Sequence, residues 1–528
     1  MNLSELDRIV GHQGGLNRRL FMAYAATLTS IPFINTACAV QNINFDKNPF
    51  SLGVASGDPD HEGMVLWTRL APEPLELDGG MPLAASVEVK WEIASDQEMK
   101  SIIKSDTEVA SPELGHTIHV EVEGLKPDRW YWYRFHCGGY TSPVGRTRTM
   151  PLPDSMPEKL RFVATSCQHY EQGLYTAYEQ MIADDVDLVF HLGDYIYEYA
   201  GNTKRIRTHI GPEIENVAQY RQRYSQYRTD PLLQKMHAQC PWILTWDDHE
   251  FDNNCAGDIS EQKNVDKVKF LQRRAAAYQV YYEMMPLRKS CVPNGPHMQL
   301  YRQSAYGRLA DFLVLDTRQF RTDQPNGDGN KPLNDQALNP NNTLLGKDQK
   351  AWMYKSLAKS DATWNVLAQQ VMMGMVNREH NTEKEARYSM DQWPGYAAEK
   401  MDIMRYLSNR KISNPVVLTG DIHSNWVNEL RIDDFKAETP LVATEFVATS
   451  LSSGGNGGEA IKSAESYKSK NACVKFYNAQ RGYILCEVTP KQWVSHYKTV
   501  DQVMKPGGKT STKASFAVNA GNPKVYQM

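Results

Sequence analysis

Leu188-Val189-Phe190-His191-Leu192-Gly193-Asp194-Tyr195-Ile196-Tyr197-Glu198-Tyr199 is the stretch on which the fold turns. A short apolar run that halts at Gly-Asp predicts a buried strand, and open α/β sheets place their ligands at the carboxyl ends of such strands. Asp194 stands at that position. Taken alone, a Gly-Asp pair is better explained as the cap of a turn. The pattern recurs, however. Pro415-Val416-Val417-Leu418-Thr419-Gly420-Asp421-Ile422-His423 adds a His two residues past its Gly-Asp, and Trp242-Ile243-Leu244-Thr245-Trp246-Asp247-Asp248-His249-Glu250 ends on a carboxylate pair before a His. Three apolar strands, each ending in ligand-type residues, point to one shared metal centre.

The flanking chain alternates strands with helices. Residues 161–165 form a strand that stops at Ser166-Cys167-Gln168, and Leu174, Ala177, Tyr178, Met181 and Ile182 follow at helical spacing, which makes a βαβ unit with the Asp194 strand. Helical patterning covers 217–240 and 268–285, and further strands are expected at 312–318, 365–371, 445–450, 482–488 and 493–498. An Asn-, Asp-, Gly- and Pro-rich excursion at 322–342 is either a functional loop or a disordered one. The 454–458 glycine cluster lacks any phosphate-cradling pattern and reads as a flexible loop. The loops at 322–342 and 454–459 are candidate lids.

Before residue 150 the pattern is all-β. Val87, Val89, Trp91 and Ile93 alternate with polar neighbours, as do Ile118, Val120 and Val122, and residues 130–135 are densely aromatic. Leu125-Lys126-Pro127 ahead of Tyr131 resembles the corner of immunoglobulin-like and fibronectin-like sandwiches, where a Tyr hydroxyl bonds back to the chain. The proline-rich 150–157 segment reads as a linker. The expected division is therefore a β-sandwich at 48–150, an α/β domain at 160–500 and a C-terminal tail at 501–528.

A chain of 528 residues exceeds one ordinary core, and its net charge of -4 leaves no basic footprint for a nucleic-acid or anionic-membrane partner. A metal could still bind a small anionic substrate locally. The N-terminus carries Asn17-Arg18-Arg19-Leu20-Phe21-Met22, a largely apolar run and Ala37-Cys38-Ala39, the layout of a cleaved twin-arginine export signal over residues 1–39. That layout implies the twin-arginine export machinery as a partner, a periplasmic or secreted location and no membrane span after cleavage; lipidation of Cys38 is the alternative. Seven cysteines remain, Cys137, Cys167, Cys240, Cys255, Cys291, Cys473 and Cys486, so in an oxidising compartment at least one is unpaired or bound, and Cys167 is the candidate.

At this point the motifs resemble a known family, the PhoD-like alkaline phosphatases and phosphodiesterases of the calcineurin-like metallophosphatase superfamily. The resemblance rests on residues 51–59 with Leu66-Trp67-Thr68-Arg69, Gly145-Arg146-Thr147-Arg148-Thr149, Ser166-Cys167, 193–197, 246–250, 315–321 and 420–423, in that order. It implies an N-terminal β-sandwich followed by an α/β metallophosphatase sandwich with two central mixed sheets flanked by helices. It also implies iron held by Cys167, Asp194, Tyr197 and His423, with calcium beside it.

The chemistry of the residues agrees. Phosphate-ester hydrolysis needs an activated water and neutralised phosphoryl oxygens, which two adjacent cations supply, and Asp194 is the best bridge between them. A thiolate and a phenolate suit ferric iron better than magnesium or calcium, whereas Asp194, Asp248 and Asp421 offer the hard oxygens that favour calcium, or magnesium or manganese in its place. Cys167 as a buried apolar residue or disulfide half, and Tyr197 as aromatic packing, are the bland alternatives. Asn253 and Asn254 are further oxygen donors or simply turn residues. His249 suits general-acid work on the leaving alcohol, or else orients a ligand carboxylate. Arg318 either clamps a phosphate oxygen or forms a structural ion pair with Asp316 or a loop carboxylate, and Arg146 and Arg148 are expected to join the two domains. The expected activity is hydrolysis of a small phosphomonoester or phosphodiester by in-line attack of a metal-bound hydroxide. A phospholipase D-type diesterase and a non-catalytic metal- or phosphate-binding protein are the competitors.

Overall fold

The computed structural model describes residues 43–82 and 85–528, so the expected export signal at 1–39, with Cys38, lies outside the described residues. Three parallel strands, Leu160–Thr165, Leu188–Leu192 and Trp242–Thr245, lie side by side in one sheet. A second sheet runs Arg302–Tyr306, Ala310–Val314, Trp364–Ala368, Pro415–Thr419, Leu441–Val447 and Asn425–Arg431, the four from Ala310 to Leu441 being mutually parallel. The long strand Val474–Val488 belongs to both sheets, pairing Asn425–Arg431 through its first half and Leu160–Thr165 through its second.

Alternate side chains explain why these strands are apolar throughout. Phe162, Phe190 and Phe312 point into the space between the sheets, where Phe190 and Phe312 have ring centroids 4.5 Å apart, together with Val366, Leu418, Phe446 and Trp493. The intervening residues Val163, Val189 and Leu244 face outward, under the helices Ala177–Ala183, Val217–Arg228, Pro231–Gln239 and Lys267–Met284. Leu313, Leu367 and Val417 face the helices Gly346–Lys359 and Ala397–Asn409 on the other side. The result is a layered arrangement of mixed sheets flanked by helices, with an additional β-rich N-terminal region.

That N-terminal region has two layers. Strands Val87–Ala94, Ile102–Ala110 and Trp130–Cys137 form one, and Val54–Gly57, Met64–Arg69 and Thr117–Val122 form the other. The second layer is not separate from the first of these sheets: Gly57 pairs in parallel with Trp242, and a Cβ at Gly57 would lie 2.8 Å from the Trp242 carbonyl oxygen. Pairing through an open edge covers backbone groups that would otherwise be exposed. Arg146 and Arg148 tie the layers further, the first donating to the Gln239 carbonyl at 2.9 Å and the second pairing with Asp187. The 150–157 segment is docked, with the Ser155 carbonyl accepting from the amide of Arg308 at 2.7 Å.

One expectation needs correcting. The stretch from 501 is not a tail, because Thr510–Asn519 and Asn522–Gln527 add antiparallel strands to the first sheet and bury Phe516, Val518 and Val525 between the sheets. Lys, Ser and Thr on the outward positions masked that alternation. The seven described cysteines are all free and buried, because they are dispersed among separate cores: Cys137 in the N-terminal layers, Cys486 between the sheets, Cys473 beside Trp426. The excursion after Thr322 is ordered through a two-residue strand, Asn330–Lys331, paired with Tyr388–Ser389. Among the described residues no helix is long and apolar enough to cross a membrane.

Candidate metal centre

The carboxyl ends of the two sheets meet. Ser166 and Ser450 form a parallel bridge, and the Gln370 side chain donates to both Thr245 Oγ1 and the Leu315 carbonyl. Gln369 donates to Thr419 Oγ1 at 2.7 Å, so both glutamines tie strands together. Three of the strands leave the ladder through left-handed turns, with φ at +58° for Cys167, +56° for Asp194, +61° for Asp421 and +53° for His423. Such a conformation is uncommon for non-glycine residues and clusters where geometry serves a site.

Two donor groups share Asp194. Cys167 Sγ, a carboxylate oxygen of Asp194 and a ring nitrogen of His423 lie within 4.8 Å of one another, as do donor atoms of Asp194, Asp248 and His249. The Tyr197 hydroxyl donates to Asp194 Oδ2 at 2.8 Å and lies 3.1 Å from His423 Nε2, so the phenol belongs to the first group. Asp421 is not in either group. Its Oδ2 accepts from Gln392 Nε2 at 2.7 Å, while its carbonyl faces Cys167 Sγ.

The donor chemistry fits cations. Asp194 Oδ1 and Asp248 Oδ1 are buried with no hydrogen-bond partner. Burial, and then the charge of Asp194, push the Cys167 thiol and the Tyr197 phenol well above their ordinary values. Burial holds the Asp194 carboxyl well up and lifts Asp421 to about 6. Burial followed by the charge of Arg481 lowers His423 to about 3. Acidic groups crowded in a buried site resist ionising together, and a bound cation inverts that preference. The first group, with sulfur, phenol, imidazole and carboxylate, fits a softer or trivalent metal; the second offers carboxylate oxygens with His249 beside them.

His249 Nδ1 lies 2.8 Å from Glu198 Oε2, and Glu198 Oε1 accepts from the Asn253 amide at 3.2 Å. Burial opposes a charge on His249, but Glu198, Asp248 and Asp194 outweigh it and raise the ring well above its ordinary value. Glu198, absent from the expected site, stands four residues after Asp194 in the same stretch; that proximity was the signal. Asn254 donates its amide to Asp248 Oδ2 at 2.7 Å and its side chain to Asp328, and so acts as a turn that holds Asp248.

Arg318 is not available as a phosphate clamp. It is fully buried, with Nε on Asp247 at 2.5 Å and Nη1 on Asp391 at 2.7 Å, while Asp316 accepts only its backbone amide. Its remaining nitrogen lies 3.7 Å from Asp248 Oδ1. Burial disfavours its charge, but Asp247, Asp248 and Asp391 more than compensate. Asp391, Gln392 and Ser453 were not legible in the sequence; the Ser453 hydroxyl donates to the Tyr197 oxygen at 2.8 Å. His169, two residues past Cys167, packs its ring 4.3 Å from that of Tyr197. With Glu171 and His209 it forms a third donor cluster, but Arg205 already lies 2.9 Å from His169 Nε2 and 3.0 Å from Glu171, so a cation from the chain occupies that position.

Comparisons with known proteins bear on the family and the fold. The description of the PhoD-like phosphatase family matches residues 162–497, and that of the PhoD-like phosphatase N-terminal domain matches 36–151. The chain is 49% identical over 478 residues to alkaline phosphatase D of Bacillus subtilis (strain 168), covering 90% of this chain and 81% of that protein. A solved structure of PhoD superposes with a TM-score of 0.89 at 47% identity, covering 92% of this chain and 93% of the other.

Proposed function

The chain belongs to the PhoD-like phosphatase family and is a metal-dependent hydrolase of phosphoric ester bonds, and from that premise we propose that its reaction is run by the cluster around Asp194. The observation that carries this is a single buried carboxylate shared by two donor groups, with one oxygen on Tyr197 and the other unpartnered.

Cys167, Asp194, Tyr197 and His423 would hold ferric iron, and Asp194 and Asp248 calcium, with Asp421 joining them if Gln392 releases its Oδ2. Bound there, the two ions supply an activated water and neutralise charge on the phosphoryl oxygens. The protein's own groups do the rest. Asp194 fixes the separation of the two positions, and the Ser453 hydroxyl and His423 orient the Tyr197 oxygen. Glu198 holds His249 by Nδ1, which leaves Nε2 to pass a proton to the departing alkoxide. Arg318 steadies Asp247 and Asp248 from behind and touches no substrate.

The substrate is a small phosphate ester, monoester or diester. The twin-arginine layout of residues 17–22 supports export to the periplasm or beyond. The Tyr131 hydroxyl donates to the Lys126 carbonyl at 3.1 Å and accepts from its amide at 3.0 Å, which supports an immunoglobulin- or fibronectin-like N-terminal sandwich.

The test is hydrolysis of matched nitrophenyl phosphate monoester and diester by purified metal-replete protein, with and without a calcium chelator, alongside elemental analysis. Faster monoester turnover halted by the chelator is the expected result. Preference for the diester would assign the chain to phosphodiester substrates. An Asp194→Asn variant is expected to lose both bound metal and turnover, and full activity in it would sink the assignment.

A further inference from the structure

Three backbone amides from the ends of two neighbouring strands converge on one buried carboxylate. Glu250, 1% exposed, accepts from Asp194 at 3.1 Å and Asp247 at 2.8 Å through Oε2, and from Tyr195 at 2.6 Å through Oε1. The turns at Gly193 and Asp194, with φ at +105° and +56°, take the chain out of the ladder, and among the described residues these amides have no backbone acceptor. The carboxylate is satisfied by peptide dipoles rather than by a paired side-chain cation. On its other side Asp194 is gripped through its carbonyl, which accepts from the Gln168 amide at 3.1 Å. Glu250 thus sets the backbone of Asp194 against that of Asp247, and so fixes where the shared carboxylate stands relative to Asp248.

We propose that Glu250 is a positioning residue for the metal centre: it does not touch substrate or metal, but holds Asp194 and the Asp247-Asp248 turn at the spacing that lets one carboxylate serve two donor groups. The inference rests on the Asp194-centred assignment above. The requirement is geometric, because only a carboxylate offers two acceptor oxygens to three converging donors. A glutamine in its place turns one end into a donor facing donors.

The experiment compares Glu250→Gln and Glu250→Asp with a control at a second buried carboxylate, Glu399→Gln. Glu399 also accepts backbone amides, from Leu344 at 2.6 Å and Leu345 at 3.3 Å, but on the helical face away from the centre. Three quantities are read: metal retained per chain by elemental analysis during chelator competition, the visible absorption of phenolate and thiolate bound to ferric iron, and thermal unfolding of the metal-free forms. Glu250→Gln is expected to retain metal at least tenfold more weakly than wild type and to shift or lose the visible band. Glu250→Asp should fall between, and it carries the test if Glu250→Gln fails to fold. Glu399→Gln should lower the unfolding temperature while keeping wild-type metal retention and absorption. Wild-type retention in the Glu250 variants, or equal loss in Glu399→Gln, would overturn the proposal. Wild-type protein that holds no metal at all would overturn the Asp194-centred assignment itself, and the proposal with it.

Discussion

A Cβ added at Gly193 would lie 2.5 Å from the Cβ of Asp247 and 2.8 Å from its amide nitrogen, at a residue whose φ is +105°. Gly193→Ala is therefore expected to cost about 2 kcal/mol or more, because neither strand end can retreat without losing the Glu250 contacts. Denaturant unfolding of the metal-free protein reads this directly, and an unchanged midpoint would contradict it. His119 lies far from the metal centre in sequence and bridges the N-terminal layer to the catalytic core. Its Nε2 lies 2.9 Å from the Tyr282 carbonyl and 3.0 Å from that of Met285, and its ring stacks on Tyr282. Burial pushes it from its ordinary 6.5 down to about 4 despite those carbonyls, with Lys289 adding slightly. The folded ring is neutral where the unfolded one takes up a proton, so its stabilising contribution is complete above pH 6.5 and is lost as pH falls towards 4. The full loss is about 3 kcal/mol. His119→Gln should flatten the stability profile between those two pH values relative to wild type.

Among the elements, the C-terminal strands show how much patterning can hide. Thr510–Asn519 pairs with Gln492–Val500 and directs Phe516 into the space between the sheets, 5.2 Å from Phe476 and 5.9 Å from Tyr497 by ring centroids. Phe516→Ala is expected to destabilise the fold by about 3 kcal/mol, as a core cavity does, and equilibrium unfolding in urea would measure it. A value near zero would mean that these strands are a dispensable edge. The helical region expected over 217–240 divides at Asp230-Pro231, because Pro231 supplies no amide and Asp230 caps the amides of Leu232 and Leu233. That break lets the second helix, Pro231–Gln239, pack beside the Val54–Gly57 strand of the N-terminal layer, with Gln234 donating to the Ser51 carbonyl at 3.0 Å.

For the whole molecule, the candidate centre lies where two sheets end together, so a metal bound there would be coupled to the fold. Cations bound by the folded chain alone raise its stability by mass action, about 4 kcal/mol at a thousandfold excess over the dissociation constant. Removing them leaves Asp194, Asp248 and Cys167 buried around unpartnered oxygens. A chelator is thus expected to lower the unfolding temperature by several degrees in wild type and much less in Asp194→Asn, a difference that scanning calorimetry resolves. Equal shifts in both would detach metal binding from this site.

The apolar runs before Asp194, Asp248 and Asp421 determined by themselves that buried strands would deliver ligand-type residues to one end of a sheet, since burial on both faces leaves no other use for such runs. The order of motifs likewise carried the family. The resemblance already implied Cys167, Tyr197 and His423 around Asp194; tertiary structure alone decided the partners of the other polar groups. Arg318 turns to Asp247 and Asp391, Asp421 to Gln392, and Ser453 to Tyr197. Those outcomes depend on distances between chain segments as much as 256 residues apart, as for Ser453 and Tyr197, and on left-handed turns whose angles no residue pattern encodes. Local periodicity reports which face of an element is buried; only packing fixes what each buried polar group meets there.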